Sequence, residues 1–358
     1  MVTISEKVIT YKEALLRSMD DALANFPGVV IMGQGVDDHK GTFGSTINLA
    51  GKYGKDRVFD IPLSEEGNAG VAIGAALNGL YPIQTHIRND FSLLASNQLI
   101  NIAAKYKYMY GGHFEVPFLT RMIIGRSWGQ GAQHSQSLQS LFAHIPGLVV
   151  IMPSSADAVL ESYHHAVANY RGPVISIEHR LLYDFTFKST YEYGATAQHD
   201  PFSSRIVRSG KDITVVATSI MVIEAQRIAD YLAKEFAIGC EIIDLHSVSH
   251  YDKDMILRSV RKTGKLLVAD TSWQAYGVSA EISRVVCESD PSMLKAPVIS
   301  LGMQPSPCPT SKHLEDLFYP DDLSFTEKII ELVKGKNHGL QLPGRSLNEV
   351  YKKFKGPF

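Results

Sequence analysis

The chain has 358 residues, of which 45% are hydrophobic and 20% charged, and its formal net charge is −2. That is the composition of a globular chain of about two domains, and a charge so near zero gives no overall field for nucleic acid or an acidic membrane. Three scattered cysteines, Cys240, Cys287 and Cys308, argue against a disulfide framework or a zinc site. No apolar run approaches the roughly 20 residues of a membrane span, and the first residues lack a signal-type apolar core. A cytoplasmic protein is expected.

In chain order, a helical pattern over Tyr11–Ala24 precedes an apolar strand at Val29–Gln34. Further strands are expected at Arg57–Pro62, Pro82–Ile87, Phe118–Gly125, Leu148–Pro153 and Pro173–His179. Amphipathic segments lie between them at Glu66–Leu80, Phe91–Tyr106 and Ala156–Tyr170. Continuously apolar strands alternating with helices predict a mostly parallel sheet covered on both faces. The pattern lapses from about Leu182 to Arg208 and then resumes. Strands are expected at Ile213–Ser219, Cys240–Leu245, Lys265–Asp270 and Pro297–Met303, and helices at Met221–Phe236, Lys253–Thr263 and Tyr276–Glu288. The predicted fold class is α/β, with two doubly wound domains over 1–185 and 209–338. A linker over 186–208 joins them, and an irregular tail over 339–358 could hold a short helix at Ser346–Phe354.

The stretch DIPLSEEGNAGVAIGAALNG, residues 60–79, is unusual. Gly67, Gly70 and Gly74 form one stripe of its helix, although each glycine costs a helix roughly 1 kcal/mol relative to alanine. The stripe admits a second backbone, either the helix's own sheet or another subunit. Ser64 can cap the helix, and Glu65 and Glu66 complement its dipole. A carboxylate between strand and helix also sits where α/β sheets bind ligands.

GQGVDDH (33–39) and GQGAQHSQ (129–136) begin as G-x-G but do not continue as G-x-G-x-x-G, and neither has a P-loop lysine. Dinucleotide and NTP sites are rejected on that basis. His134 is either a solvated loop histidine or a catalytic one. His144, in FAHIPG, is expected to be packed. His164 and His165 cannot share a helix face. His246 and His250 flank poor helix, and no metal site is inferred.

RVFDIPLSEEGNAGVAIGAALNGLYPI, NQLINIAAKYKYMYGG, GAQHSQSLQSLFAHIPGLVVIMPSSADA, PVISIEHRLLYD and EIIDLHSVSHYDKDMILRSVRKTGKLLVAD occur in that order. They resemble the beta subunit of the thiamine-diphosphate-dependent first component of 2-oxo acid dehydrogenases, the pyruvate, branched-chain and acetoin types. The resemblance spans about residues 8–335. It implies a transketolase-like pyrimidine-binding domain followed by a transketolase C-terminal-like domain.

It also implies roles. In the family, the first acid of S-E-x-G faces the aminopyrimidine ring of thiamine diphosphate, and here that residue is Glu65. A carboxylic acid on the ring nitrogen favours the imino tautomer, which removes the thiazolium proton. The site must be dry for the acid to keep its own proton. Glu66 falls at a variable position and reads as a helix-start carboxylate. Phe91 resembles the aromatic residue stacked on the pyrimidine, against a core reading. His134 resembles the histidine that assists proton transfer or binds the substrate-derived intermediate. Gln34 and Arg88 fall near the cofactor by analogy, Arg88 as a substrate contact or a structural ion-pair partner of Asp90. The family's diphosphate and Mg²⁺ motif, G-D-G followed by N-N, does not occur here. In the family it lies on an alpha subunit, so the resemblance implies such a partner, α2β2 assembly with beta–beta contact, and a possible lipoyl acyltransferase.

The chain also departs from the family. The acid pair after the first strand is replaced around Gln34, the region after the third strand reads THIRNDF, and Asn97 replaces an aspartate. The family's H-E in the second domain aligns with Ala269-Asp270. The expected function is decarboxylation of a 2-oxo acid with transfer of the activated acyl unit. The alternatives are a transketolase-like carboligase for a polar acceptor and a non-catalytic scaffold subunit.

Overall fold

The computed structural model describes residues 7–126, 129–194 and 199–335. The chain divides into two compact units. One holds everything up to Ile124 together with Leu141–Phe202; the other holds Gly125–Ser140 and everything from Ser203 on. The tail over 339–358, with the helix expected at Ser346–Phe354, lies outside the described residues.

The first unit runs β1 (Lys7–Thr10), α1 (Tyr11–Asn25), β2 (Val29–Gly33), α2 (Leu49–Tyr53), β3 (Val58–Asp60), α3 (Glu65–Leu77), β4 (Tyr81–His86), α4 (Ala104–Met109), β5 (Phe118–Ile124), α5 (Gln139–Ala143, beginning in the other unit), β6 (Val149–Ile151), α6 (Ala156–Ala168), β7 (Pro173–His179) and β8 (Thr186–Ser189). Six strands form a fully parallel sheet in the order β3-β2-β4-β5-β7-β6. Strands β2, β4, β5 and β7 are buried along their whole length, as parallel strands covered on both faces must be. β1 and β8 pair antiparallel beside them. At the start of α1, Thr10 Oγ1 accepts from Glu13 N at 3.2 Å while Thr10 N donates to the Glu13 carboxylate at 2.6 Å, a reciprocal cap.

The centre of this sheet is charged. Arg121 on β5 donates to both oxygens of Glu178 on β7, at 2.7 and 2.8 Å, and neither side chain is exposed. Tyr163 and Tyr183 hydroxyls also donate to Glu178, and Arg121 reaches Ser45 Oγ at 2.9 Å. A bidentate pair with its remaining lone pairs satisfied offsets its desolvation and permits one strand register.

The second unit runs β9 (Arg205–Arg208), β10 (Ile213–Ala217), α7 (Ile220–Phe236), β11 (Cys240–Asp244), α8 (Lys253–Thr263), β12 (Leu266–Trp273), α9 (Val278–Ser289), β13 (Ile299–Met303), α10 (Lys312–Phe318) and α11 (Asp322–Lys334). Its sheet has the order β13-β12-β10-β11-β9, with only the edge strand β9 antiparallel. The α/β class with mostly parallel sheets therefore holds in both units. The three cysteines are free, and no helix among the described residues is long and apolar enough to cross a membrane.

Several expectations are corrected. The stretch expected as a linker contains β8 and β9. The single helix expected over Phe91–Tyr106 is a 3-10 segment (Asn89–Ala95), a π-helical segment (Asn97–Ala103) and only then α4. Ser92 Oγ donates to Asn89 O at 2.5 Å and Ser96 Oγ to Leu93 O at 2.7 Å, and these local bonds compete with α-helical pairing. Ser64 makes no side-chain cap bond to α3. His144 is exposed rather than packed.

The glycine stripe does not face the sheet. α3 buries Asn68, Ala69, Ala72, Ile73 and Ala76. Gly70 and Val71 are exposed, Val71 by 61%, and nothing lies within 4 Å of a Cβ placed on Gly74. Leu63 (82%) and Leu94 (59%) extend this open apolar surface. A helix apolar all round is one meant to be covered on both sides. Gly70→Leu should therefore keep or raise the melting temperature of the isolated chain, since only Gln98 Cγ at 3.9 Å approaches that Cβ and leucine is the better helix former by about 1 kcal/mol. The same change should abolish subunit association in native mass spectrometry. Normal assembly of the variant would show that the stripe is not a contact face.

Candidate active site

The strand order of the first sheet reverses between β2 and β4, and in such sheets ligands bind beyond the carboxyl ends of the strands at that point. The two strands are tightly apposed there. A Cβ on Gly33 would lie 2.9 Å from Thr85. Gln34 follows β2 directly, and its loop is held by Asp60 at the end of β3. The Asp60 carboxylate accepts from Gly35 N at 3.0 Å, Val36 N at 2.7 Å and Asp37 N at 3.2 Å.

Arg88 follows β4 and is only 6% exposed. It donates to Ile87 O at 2.9 Å, and its guanidinium lies 5.8 Å from the centre of the Phe43 ring. Arg180, just after β7, lies 4.9 Å from the same ring and 5.2 Å from Tyr183. Phe43 holds this place with φ at 54°, a left-handed conformation that bulky residues rarely adopt. Burial lowers the Arg88 pKa to about 10; Asp90 opposes the shift and Arg180 adds to it. His86, buried at the end of β4, is pushed down to about 4 by desolvation and is neutral near pH 7. Phe43 and Arg180 were not singled out in the sequence, because nothing local marks two loops that meet only across the sheet.

Glu65 opens α3 and is partly exposed. Asn68 fixes the turn before it, its amide donating to Pro62 O at 2.6 Å. Glu66 points elsewhere, accepting from Gln98 Nε2 at 3.2 Å. Phe91, 37% exposed, belongs to the 3-10 segment that packs against α3. A carboxylate at a helix start and an accessible aromatic face thus occupy neighbouring elements. Gln34, Glu65, Arg88 and Phe91 all belong to the first unit. His134 does not: its segment belongs to the second unit.

That segment is tied down at both ends. Arg126 donates to Glu224 Oε1 at 3.1 Å and to Pro320 O at 3.2 Å, and stacks 5.4 Å from the Tyr319 ring. Beyond His134, Ser137 Oγ meets Thr271 Oγ1 at 2.9 Å, and Gln139 Nε2 donates to Asp270 Oδ1 at 2.7 Å. Among the described residues no group of three or more His, Cys, Asp or Glu could hold a metal ion.

A model of the transketolase pyrimidine-binding domain matches residues 7–186, and one of the transketolase C-terminal domain matches residues 203–324. The pyruvate dehydrogenase E1 component subunit beta-2, mitochondrial, of Oryza sativa subsp. japonica is 37% identical over 320 residues, 88% of this chain and 85% of its own. This chain belongs to the family of 2-oxo acid dehydrogenase beta subunits. The acetoin:2,6-dichlorophenolindophenol oxidoreductase subunit beta of Cupriavidus necator is 36% identical over 341 residues, covering 92% and 99% of the two chains. A solved split-gene transketolase, described as an inactive beta4 tetramer, superposes with a TM-score of 0.71 at 20% identity, covering 91% of this chain and 98% of that one. At that identity it speaks for the fold alone. The beta-subunit resemblance read from the motifs, and the transketolase-like architecture it implied, are both borne out.

Glu224 gives this beta subunit a built-in pH dependence. Burial pushes its carboxyl up to about 7, against the pull of Arg126. A buried acid with a raised pKa contributes stability that is complete below its ordinary value near 4.5 and is lost as pH rises through about 7. The Glu224 contribution to the unfolding free energy in urea should therefore fall between pH 5 and 8, by up to roughly 3 kcal/mol, whereas buried His86 contributes in the opposite sense below its ordinary value. The difference between the parent chain and Glu224→Gln isolates that fall, and a pH-independent difference would count against the assignment.

Proposed function

We propose that this chain supplies the pyrimidine side of a thiamine-diphosphate-dependent active site that decarboxylates a 2-oxo acid and hands on the acyl or aldehyde unit. The family is thiamine-diphosphate-dependent. The observation that carries the reading is Glu65, at the start of a helix whose outer face is apolar and open, with Phe91 on the element packed beside it. These residues fit an aminopyrimidine: a carboxyl group for a ring nitrogen, and a flat apolar ring for stacking. When bound, the cofactor would supply an electron sink for the electron pair left on the substrate carbon as CO2 departs.

Glu65 holds a proton against the ring nitrogen, and a second subunit laid on the open face of α3 excludes water from that bond. Gln34 borders the same crevice from the β2 side. His134 moves a proton at the substrate-derived atoms. The diphosphate and Mg²⁺ are assigned to an alpha subunit in an α2β2 assembly, and a lipoyl acyltransferase is the acceptor in a dehydrogenase. Three free cysteines, all in the second unit, suit the cytoplasm. A second reading, a carboligase for a polar or anionic substrate, is favoured by one observation: Arg88 and Arg180 both pack on Phe43 at the switch point.

Two experiments test these readings in the enzyme assembled with its alpha partner. Glu65→Gln should leave folding intact and cut exchange of the cofactor's acidic proton and turnover by about 10²–10⁴-fold, while Glu66→Gln changes little; full activity in the first variant would refute the role. Arg88→Phe should raise KM for an anionic or polar substrate with that proton exchange unchanged. If it instead lowers thermal stability or assembly and leaves KM alone, Arg88 is structural and the carboligase reading loses its support.

A further inference from the structure

The segment Gly125–Ser140 leaves β5 and returns to the first unit at Leu141, yet it is part of the second unit. Its ends are held by buried polar contacts, whereas Ala132 and Gln133 are exposed and His134 is partly so. At the far end the contacts form a closed network. Ser137 Oγ bonds Gln139 Oε1 at 2.7 Å, and Gln139 Nε2 reaches both Asp270 Oδ1 at 2.7 Å and Thr271 Oγ1 at 3.2 Å. Ser272 Oγ donates to Ser137 O at 2.7 Å. Asp270 Oδ1 is itself held by Thr218 Oγ1 at 2.6 Å and by Thr271 N at 2.8 Å. Ser137, Gln139, Thr218 and Asp270 are all buried. Between this network and Arg126, Gly131 passes so close to Thr310 that a Cβ would lie 2.5 Å from its hydroxyl, and its φ is 70°.

An anchor needed only for stability could be apolar, since burying amides and a carboxylate costs desolvation. A network of mutually oriented hydrogen bonds selects one geometry instead; here three donors converge on Asp270 Oδ1, while Asp270 Oδ2 is buried without a partner. We propose that Gln139 and Thr271 are positioning residues for His134: the network at the ends of β10 and β12 sets the place of the histidine's loop. This rests on the reading of His134 as a proton-transfer residue. Asp270 and Thr218 form the base of the network, and the side chains that move with the loop are Ser137 and Gln139.

The test uses the enzyme assembled with its alpha partner. Gln139→Ala and Thr271→Val should each lower kcat by roughly 10–100-fold, the scale of a misplaced catalytic group, with KM and thiamine diphosphate affinity nearly unchanged. Thr271→Ser keeps the hydroxyl and should keep kcat, which preserves the test if Gln139→Ala fails to fold. In a His134→Ala background, Gln139→Ala and Thr271→Val should cost nothing further, because they act through the histidine. Undiminished losses in that background, or full kcat in Gln139→Ala and Thr271→Val alongside an impaired His134→Ala, would overturn the positioning role alone. Full activity in His134→Ala would overturn the histidine's role and the proposal together.

Discussion

A helix can lay only one face on its own sheet, and α3 is apolar on both. Asn68, Ala69, Ala72, Ile73 and Ala76 are buried, while Gly70 and Val71 remain open. Such a face does not stay in water by preference. The carboxylate that starts this helix therefore takes its final environment from whatever covers the face. In the proposed function, association and drying are one event for Glu65, which couples its proposed chemistry to assembly. The same proposal gives a reason for three glycines in one helix despite their propensity cost: side chains there would hold a second surface away.

The rest of the first unit gives that helix a rigid base. The Arg121–Glu178 pair locks β5 against β7, and with Tyr163 and Tyr183 it gives each Glu178 oxygen two donors. Loops at the carboxyl ends of the strands inherit this order. Asp60 draws three consecutive backbone N–H groups onto β3, and Phe43 is held in a strained conformation between two arginines. Strain of this sort persists only where the surroundings over-determine it. The second unit has a different task. It includes the segment Gly125–Ser140, which Arg126, Ser137 and Gln139 tie down by hydrogen bonds.

The sequence by itself determined the elements whose cause is local. Pro173–His179 and Lys253–Thr263 have the same limits in sequence and structure, because a short β-branched run opened by proline and a cleanly capped amphipathic period each carry their own signal. The family was legible for a related reason: SEEG, AQHSQ and their flanks are short, ordered and specific, and they named Glu65, Phe91 and His134 as candidates. Tertiary structure decided everything that depends on distant partners. The period of α3 showed a glycine stripe but not which way it faced, since that is fixed by the sheet beneath it. His144 sits among apolar neighbours in sequence and is nevertheless exposed. The residues over Phe91–Tyr106 have helical spacing, but serine hydroxyls divert the backbone into 3-10 and π turns. Arg121 and Glu178 are 57 residues apart, and Gln139 and Asp270 are 131 apart. No local pattern joins such pairs, because the energy that makes them partners exists only once the sheets between them have closed.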